Sequence, residues 1–144
     1  MTHDYATIDE WLPRASVESH DLMHALFAGY PAKGSPGVSY GPGIRTIDSR
    51  LTILNEVFFR DAAGQLVGVL RHYPNGHSVA GVTKVRGEFA IAVRQHKRRQ
   101  GIASELLKAA EAKWHMDYGV QSYTTEGRAL VLNAVGRRAR QLVH

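Results

Sequence analysis

The chain has 144 residues, 44% apolar and 22% charged, with 18 lysines and arginines against 13 acids for a net charge of +5. That length suits one domain with a proper core. No apolar run approaches the ~18 residues of a membrane span, and the lack of cysteine excludes disulfides, a thiolate nucleophile and a cysteine-based zinc site. Asp4, Asp9 and Glu10 interrupt the basic-then-apolar order of a secretion signal, so the expected home is cytoplasmic. The positive balance suits an anionic ligand, an acidic partner or nucleic acid without choosing among them.

Residues 4–30 read as helical. Thr7 or Asp9 caps a helix entering Glu10–Pro13, with proline in its first turn. A second helix, Ser16–Ala28, carries an apolar stripe of Val17, Leu22, Met23, Leu26 and Phe27 and ends at Gly29. Residues 31–43 hold four glycines and three prolines, a composition that predicts a long surface loop without regular strand. Such a loop is either a lid or a mobile connector; as a lid it would offer Tyr30 and Tyr40 as contacts.

Residues 51–60 and 65–73 are β-rich runs around Asp61-Ala62-Ala63-Gly64, which predicts an antiparallel hairpin. Pro74-Asn75-Gly76 stops the return strand. A polar, glycine-containing connection at 76–87 leads to a third strand, making a meander. His72 and His77 flank the turn, but no further metal ligands cluster with them, and the reading is of no metal.

The third strand opens the stretch that organises the chain, Gly87–Trp114. Phe89, Ile91 and Val93 alternate with Ala90, Ala92 and Arg94. The alternation stops after Val93, and Arg94–Arg99 contains four arginines or lysines. Small residues then mark a helix onset at Gly101, Ala103 and Ser104, and Leu106, Leu107, Ala109, Ala110 and Trp114 follow at helical spacing. A helix start presents unpaired N–H groups and partial positive charge. Small side chains let an anion approach them, so strand, basic turn and helix together predict a phosphate cradle. The helix is expected over 101–118, stopped by Gly119. A short strand at Val120–Thr124 would complete a βαβ unit whose two strands are parallel neighbours. Residues 129–143 read as a last amphipathic helix, basic through Arg128, Arg137, Arg138 and Arg140.

With Arg98-Arg99-Gln100-Gly101-Ile102-Ala103 opening a helix after a strand, the chain resembles the GNAT superfamily of N-acetyltransferases over about residues 51–140. The resemblance implies an α/β (α+β) fold: a mixed, mostly antiparallel twisted sheet with a central βαβ unit, N-terminal helices and a C-terminal helix, in a single GNAT-like domain over 1–144. It implies an acyl-CoA-dependent N-acyltransferase that moves acetyl from acetyl-CoA to a primary amine by direct attack. The pyrophosphate would lie on backbone N–H groups from Arg99 through Ser104, beside Arg98. The pantetheine arm would pair with the strand backbone at Ile91, Ala92, Val93 and Arg94.

Three departures from the family pattern stand out. The glutamate that many members use as base falls at Gly87, with Glu88 one residue late; a one-residue shift changes face unless a bulge intervenes. Glu88, and Glu56 on the hairpin, are the carboxylate candidates. The last-helix pattern Asn-x-x-Ala-x-x-x-Tyr appears as Asn133, Gly136 and Arg140, so Asn133 matches while the usual acid is replaced, and Tyr123 or Tyr118 would have to substitute. The chain also ends before the two further strands of many members, which leaves three readings: an unusually open acceptor side, a second subunit in a homodimer that completes it, or a family helix that lies elsewhere than 129–143. The alternative reading is a GNAT-like protein without ordinary acetyl transfer that binds or modifies nucleic acid.

Overall fold

The computed structural model describes residues 30–47, 49–79, 82–97, 100–121 and 125–142. The two helices expected within 4–30 lie outside the described residues, apart from Tyr30.

Four strands form an antiparallel sheet in the order β1-β4-β5-β8: β1 (Gly37–Tyr40), β4 (Asn55–Arg60), β5 (Leu66–Tyr73) and β8 (Glu88–Val93). The expected meander is therefore β4, β5 and β8. The turn between β4 and β5 is built on Asp61, whose carboxylate accepts the N–H groups of Ala63 at 3.0 Å and Gln65 at 2.9 Å.

Three stretches differ from expectation. The glycine- and proline-rich segment 31–43 contains a regular strand, β1, because its main chain finds a partner in β4; the register runs from Gly37↔Arg60 to Tyr40↔Val57. The run 51–60 is not one strand. It breaks at Leu54, which is fully buried and donates its N–H to the Gly43 carbonyl at 3.1 Å. The part before the break, β3 (Arg50–Ile53), pairs with β2 (Ile44–Ile47) in a separate hairpin. The connection at 76–87 holds a further hairpin, β6 (His77–Val79) with β7 (Val82–Lys84).

Two helices follow: α1 (Ile102–Lys113) and α2 (Thr125–Leu142). Helix α1 ends at Lys113, five residues short of the expected Tyr118, and the chain extends at Trp114; α2 begins four residues before the expected start. Of the expected strand Val120–Thr124, Val120 belongs to a single 3-10 turn, Tyr118–Val120, and 122–124 lie outside the described residues.

Period-2 alternation explains the layering. Register places Val57 and Phe59, Gly68 and Leu70, and Phe89, Ile91 and Val93 on one face of the sheet. Helix α1 covers that face with Ile102, Leu106, Leu107 and Ala110, and Val131 and Ala134 of α2 join the same core. Gly68 is where the helix comes closest: a Cβ there would lie 2.8 Å from Ile102 Cγ2 and 3.1 Å from Leu106 Cδ1. Gly68→Val should destabilise the fold by about 1–3 kcal/mol through overpacking, read as a lower urea midpoint at unchanged m-value.

Candidate functional site: the end of β8 and the start of α1

The site begins with main-chain groups. Arg94 ends β8 by donating its N–H to the Val67 carbonyl at 2.9 Å, while its Nε donates to the Leu66 carbonyl at 2.8 Å. A 3-10 turn, Gln95–Lys97, then carries the chain toward α1, and Lys97 reaches Asp61 of the hairpin turn at 3.8 Å. Two of the four cations in the basic run are thus turned to the scaffold; Arg98 and Arg99 lie outside the described residues.

Gly101 caps α1 in the left-handed conformation, φ 79°, with no side chain capping the helix. An L-residue pays a steric penalty there that glycine does not. A Cβ on Gly101 would meet nothing within 4 Å among the described residues. Gln100 and Gly101 are exposed, and Ala103 and Ser104 half-buried, while Ile102 is buried in the core. Ile91, Ala92 and Val93 are buried in β8. The structure therefore brings Ile91–Val93 and Gln100–Ser104 together as one strand–turn–helix junction. Asn133 sits at an exposed position of α2. So does Arg140, while Arg137 of the same helix is held by Glu111 at 2.8 Å.

The candidate acid and base residues stand elsewhere. The register of β5 on β8 runs without a shift from Gly68↔Val93 to Tyr73↔Glu88. No bulge turns Glu88 to the face of Phe89, Ile91 and Val93, and it lies on the opposite face, shared with Arg71 and Glu56. Glu88 is buried and paired with Lys84 Nζ at 3.2 Å, and its other oxygen accepts the Val85 N–H at 3.1 Å. Glu56 is 1% exposed, and Arg45 grips both its oxygens, Nε at 2.9 Å and a terminal nitrogen at 3.0 Å. Both carboxylates are anchored to cations that sequence reasoning did not connect to them. Tyr118 donates its hydroxyl to Glu111 at 2.7 Å, and Tyr123 lies outside the described residues.

Of the two tyrosines that a lid would offer, Tyr30 is buried and Tyr40 is 39% exposed, and both make packing contacts. Arg71 Nε donates to the buried Tyr30 hydroxyl at 2.6 Å, and burial raises the phenol well above its usual range although Arg71 opposes the shift. Tyr40 meets Trp114 edge-on at 6.0 Å, with the Lys113 ammonium 3.9 Å from its ring centre. Beneath Trp114, buried His72 stacks on the indole at 6.1 Å, with its Nδ1 3.1 Å from Asn55 Nδ2. Burial, then the charge of nearby His115, holds His72 below the ordinary histidine value. Among the described residues no three potential ligands gather in a metal site, and no helix is long and apolar enough to cross a membrane.

The acetyltransferase (GNAT) family profile matches residues 19–135, and the chain belongs to that family. Membership makes it an acyl-CoA-dependent acetyltransferase in the general sense of the class. No match was found among curated proteins or among solved structures.

Two outcomes follow from these contacts. Arg45→Ala strands a buried carboxylate and should cost about 3 kcal/mol, while the double change Arg45→Met with Glu56→Leu should recover most of it, as measured by chemical denaturation. Because the folded state disfavours charged His72, the unfolded chain takes up the proton first as pH falls below about 6.5. Stability should decline from pH 7 to pH 5, and His72→Leu should flatten that slope relative to the parent protein in pH-resolved melting curves.

Proposed function

We propose that the protein is an N-acyltransferase that transfers acetyl from acetyl-CoA to a primary amine by direct attack. The junction of β8 with α1 carries this reading: a helix start without a side-chain cap follows a strand whose outer edge at Ile91 has no strand partner among the described residues. The residues fit the donor. The N–H groups of Gln100–Ser104, with Arg98 and Arg99, would hold a pyrophosphate, since a helix start offers unpaired donors and a favourable dipole. The backbone of Ile91–Val93 would pair with the amides of the pantetheine arm, and Asn133 completes the proposed set from α2. Acetyl-CoA, when bound, supplies the activated thioester.

The chain's own contribution is placement. Holding the thioester at a fixed strand edge makes the amine's attack effectively intramolecular. The outward N–H of Ile91 is a fixed donor for charge developing on the acyl oxygen. An amine with a pKa near 10 must shed a proton before attack. Glu88 is three residues from Ile91, about 10 Å along the strand, and Glu56 lies two strands away. Neither touches an amine at Ile91, so the proton leaves through water.

Isothermal titration tests the reading: acetyl-CoA should bind saturably, and absence of heat at millimolar ligand would overturn it. Gly101→Trp should abolish the binding by filling the phosphate approach, in a protein shown to be folded by circular dichroism. For the chemical step, Glu88→Gln should lower kcat by less than about tenfold, against about a hundredfold or more for a base in direct contact.

A further inference from the structure

In an antiparallel pair, alternate residues turn both main-chain groups toward the partner strand and the others turn them away. Arg94 donates inward to Val67, so the outward set on β8 is Phe89, Ile91 and Val93. At Phe89 the outer edge is taken by a side chain. The Phe89 N–H donates to Gln121 Oε1 at 2.8 Å, and Gln121 Nε2 donates to the Phe89 carbonyl at 3.0 Å. A carboxamide carries the same donor and acceptor as a peptide group. The side chain of Gln121 therefore does at Phe89 what one residue of a neighbouring strand would do. Ile91, the next outward residue, has no partner on that edge among the described residues.

Gln121 is held in place. It follows the 3-10 turn Tyr118–Val120, whose cap Asp117 accepts the Gly119 N–H at 3.1 Å. The Tyr118 ring sits edge-on to Phe89 at 5.9 Å, and its hydroxyl is fixed by Glu111.

This inference rests on the acetyl-CoA reading above. A pantetheine arm entering from Gly101 runs past Val93 to Ile91, with the acyl group beyond it. From Ile91 to the clamped Phe89 is about 6.8 Å of strand edge. We propose that Gln121 closes the far end of this edge and restricts the donor to short acyl chains, acetyl foremost. A longer chain lying along β8 meets the carboxamide. To pass, it must break both hydrogen bonds to Phe89, which is 1% exposed, and unpairing main-chain groups at a buried residue is costly.

Calorimetry with free CoA and with acetyl-, butyryl- and hexanoyl-CoA tests this on the unaltered protein first. Affinity should fall by about tenfold or more between acetyl and hexanoyl; a flat series overturns the role of Gln121. In Gln121→Ala the series should flatten to within about twofold while free CoA keeps its affinity, and a series as steep as the parent's also overturns it. Should Gln121→Ala not fold, Gln121→Met, of similar length without the paired amide, takes its place with the same expected direction. Failure of free CoA itself to bind would instead defeat the acetyl-CoA reading, so the two failures are distinguishable.

Discussion

The contact between Gly68 and α1 sets where everything else can be. With no side chain at Gly68, Ile102 and Leu106 descend onto β5, and the first turn of the helix is held against the sheet. Arg94 fixes the end of β8 to the same strand through two carbonyls, those of Val67 and Leu66. Strand end and helix start are thus both referenced to β5. The outer edge of β8 and the N–H groups of α1 keep a constant relation, and a ligand that spans both needs that constancy more than it needs any one side chain.

The two faces of the sheet are held by different physics. Under α1 the contacts are apolar and dense, from Val57 and Leu70 to Phe89 and Ile91. The opposite face carries Glu56, Arg71, Tyr73 and Glu88, paired with Arg45, Tyr30 and Lys84. Arg45 also lies 4.4 Å from the centre of the Tyr30 ring and Arg71 5.4 Å, so ion pairs and ring contacts are interlocked. Burying such groups is tolerable only because they are paired; removing one partner costs more than the pair contributes. The same pairing removes these carboxylates from easy use in proton transfer.

What could be read from the sequence follows from how local each signal is. The alternation of Phe89, Ile91 and Val93, the helix after Gly101 and the hairpin around Asp61–Gly64 are patterns within a few residues, and they appear where the pattern puts them. Strand β1 was hidden by its own glycines and prolines, because its pairing with β4 is a property of the partner and not of the segment. The break at Leu54 was equally invisible, since the run 51–60 is β-rich throughout. Glu56 and Glu88 were visible as carboxylates, but Arg45 and Lys84 were not visible as their cations. Gln121 lies 32 residues from Phe89, and a glutamine acting as a strand has no periodicity to reveal it.

Binding and proton chemistry separate here because they draw on different atoms. The junction of β8 with α1 offers peptide groups, which every sequence compatible with the fold provides. Acid and base must be particular side chains, and this chain departs from the family pattern at Glu88 and at Arg140. Those departures leave the Ile91 edge and the start of α1 untouched. A thiol of pKa about 8.5 is a tolerable leaving group without a dedicated acid, and an amine can lose its proton to water when the thioester is already in place. On the proposed reading, proximity at a fixed strand edge is therefore the part of catalysis that survives those departures, with Gly101 at one end of that edge and Gln121 at the other.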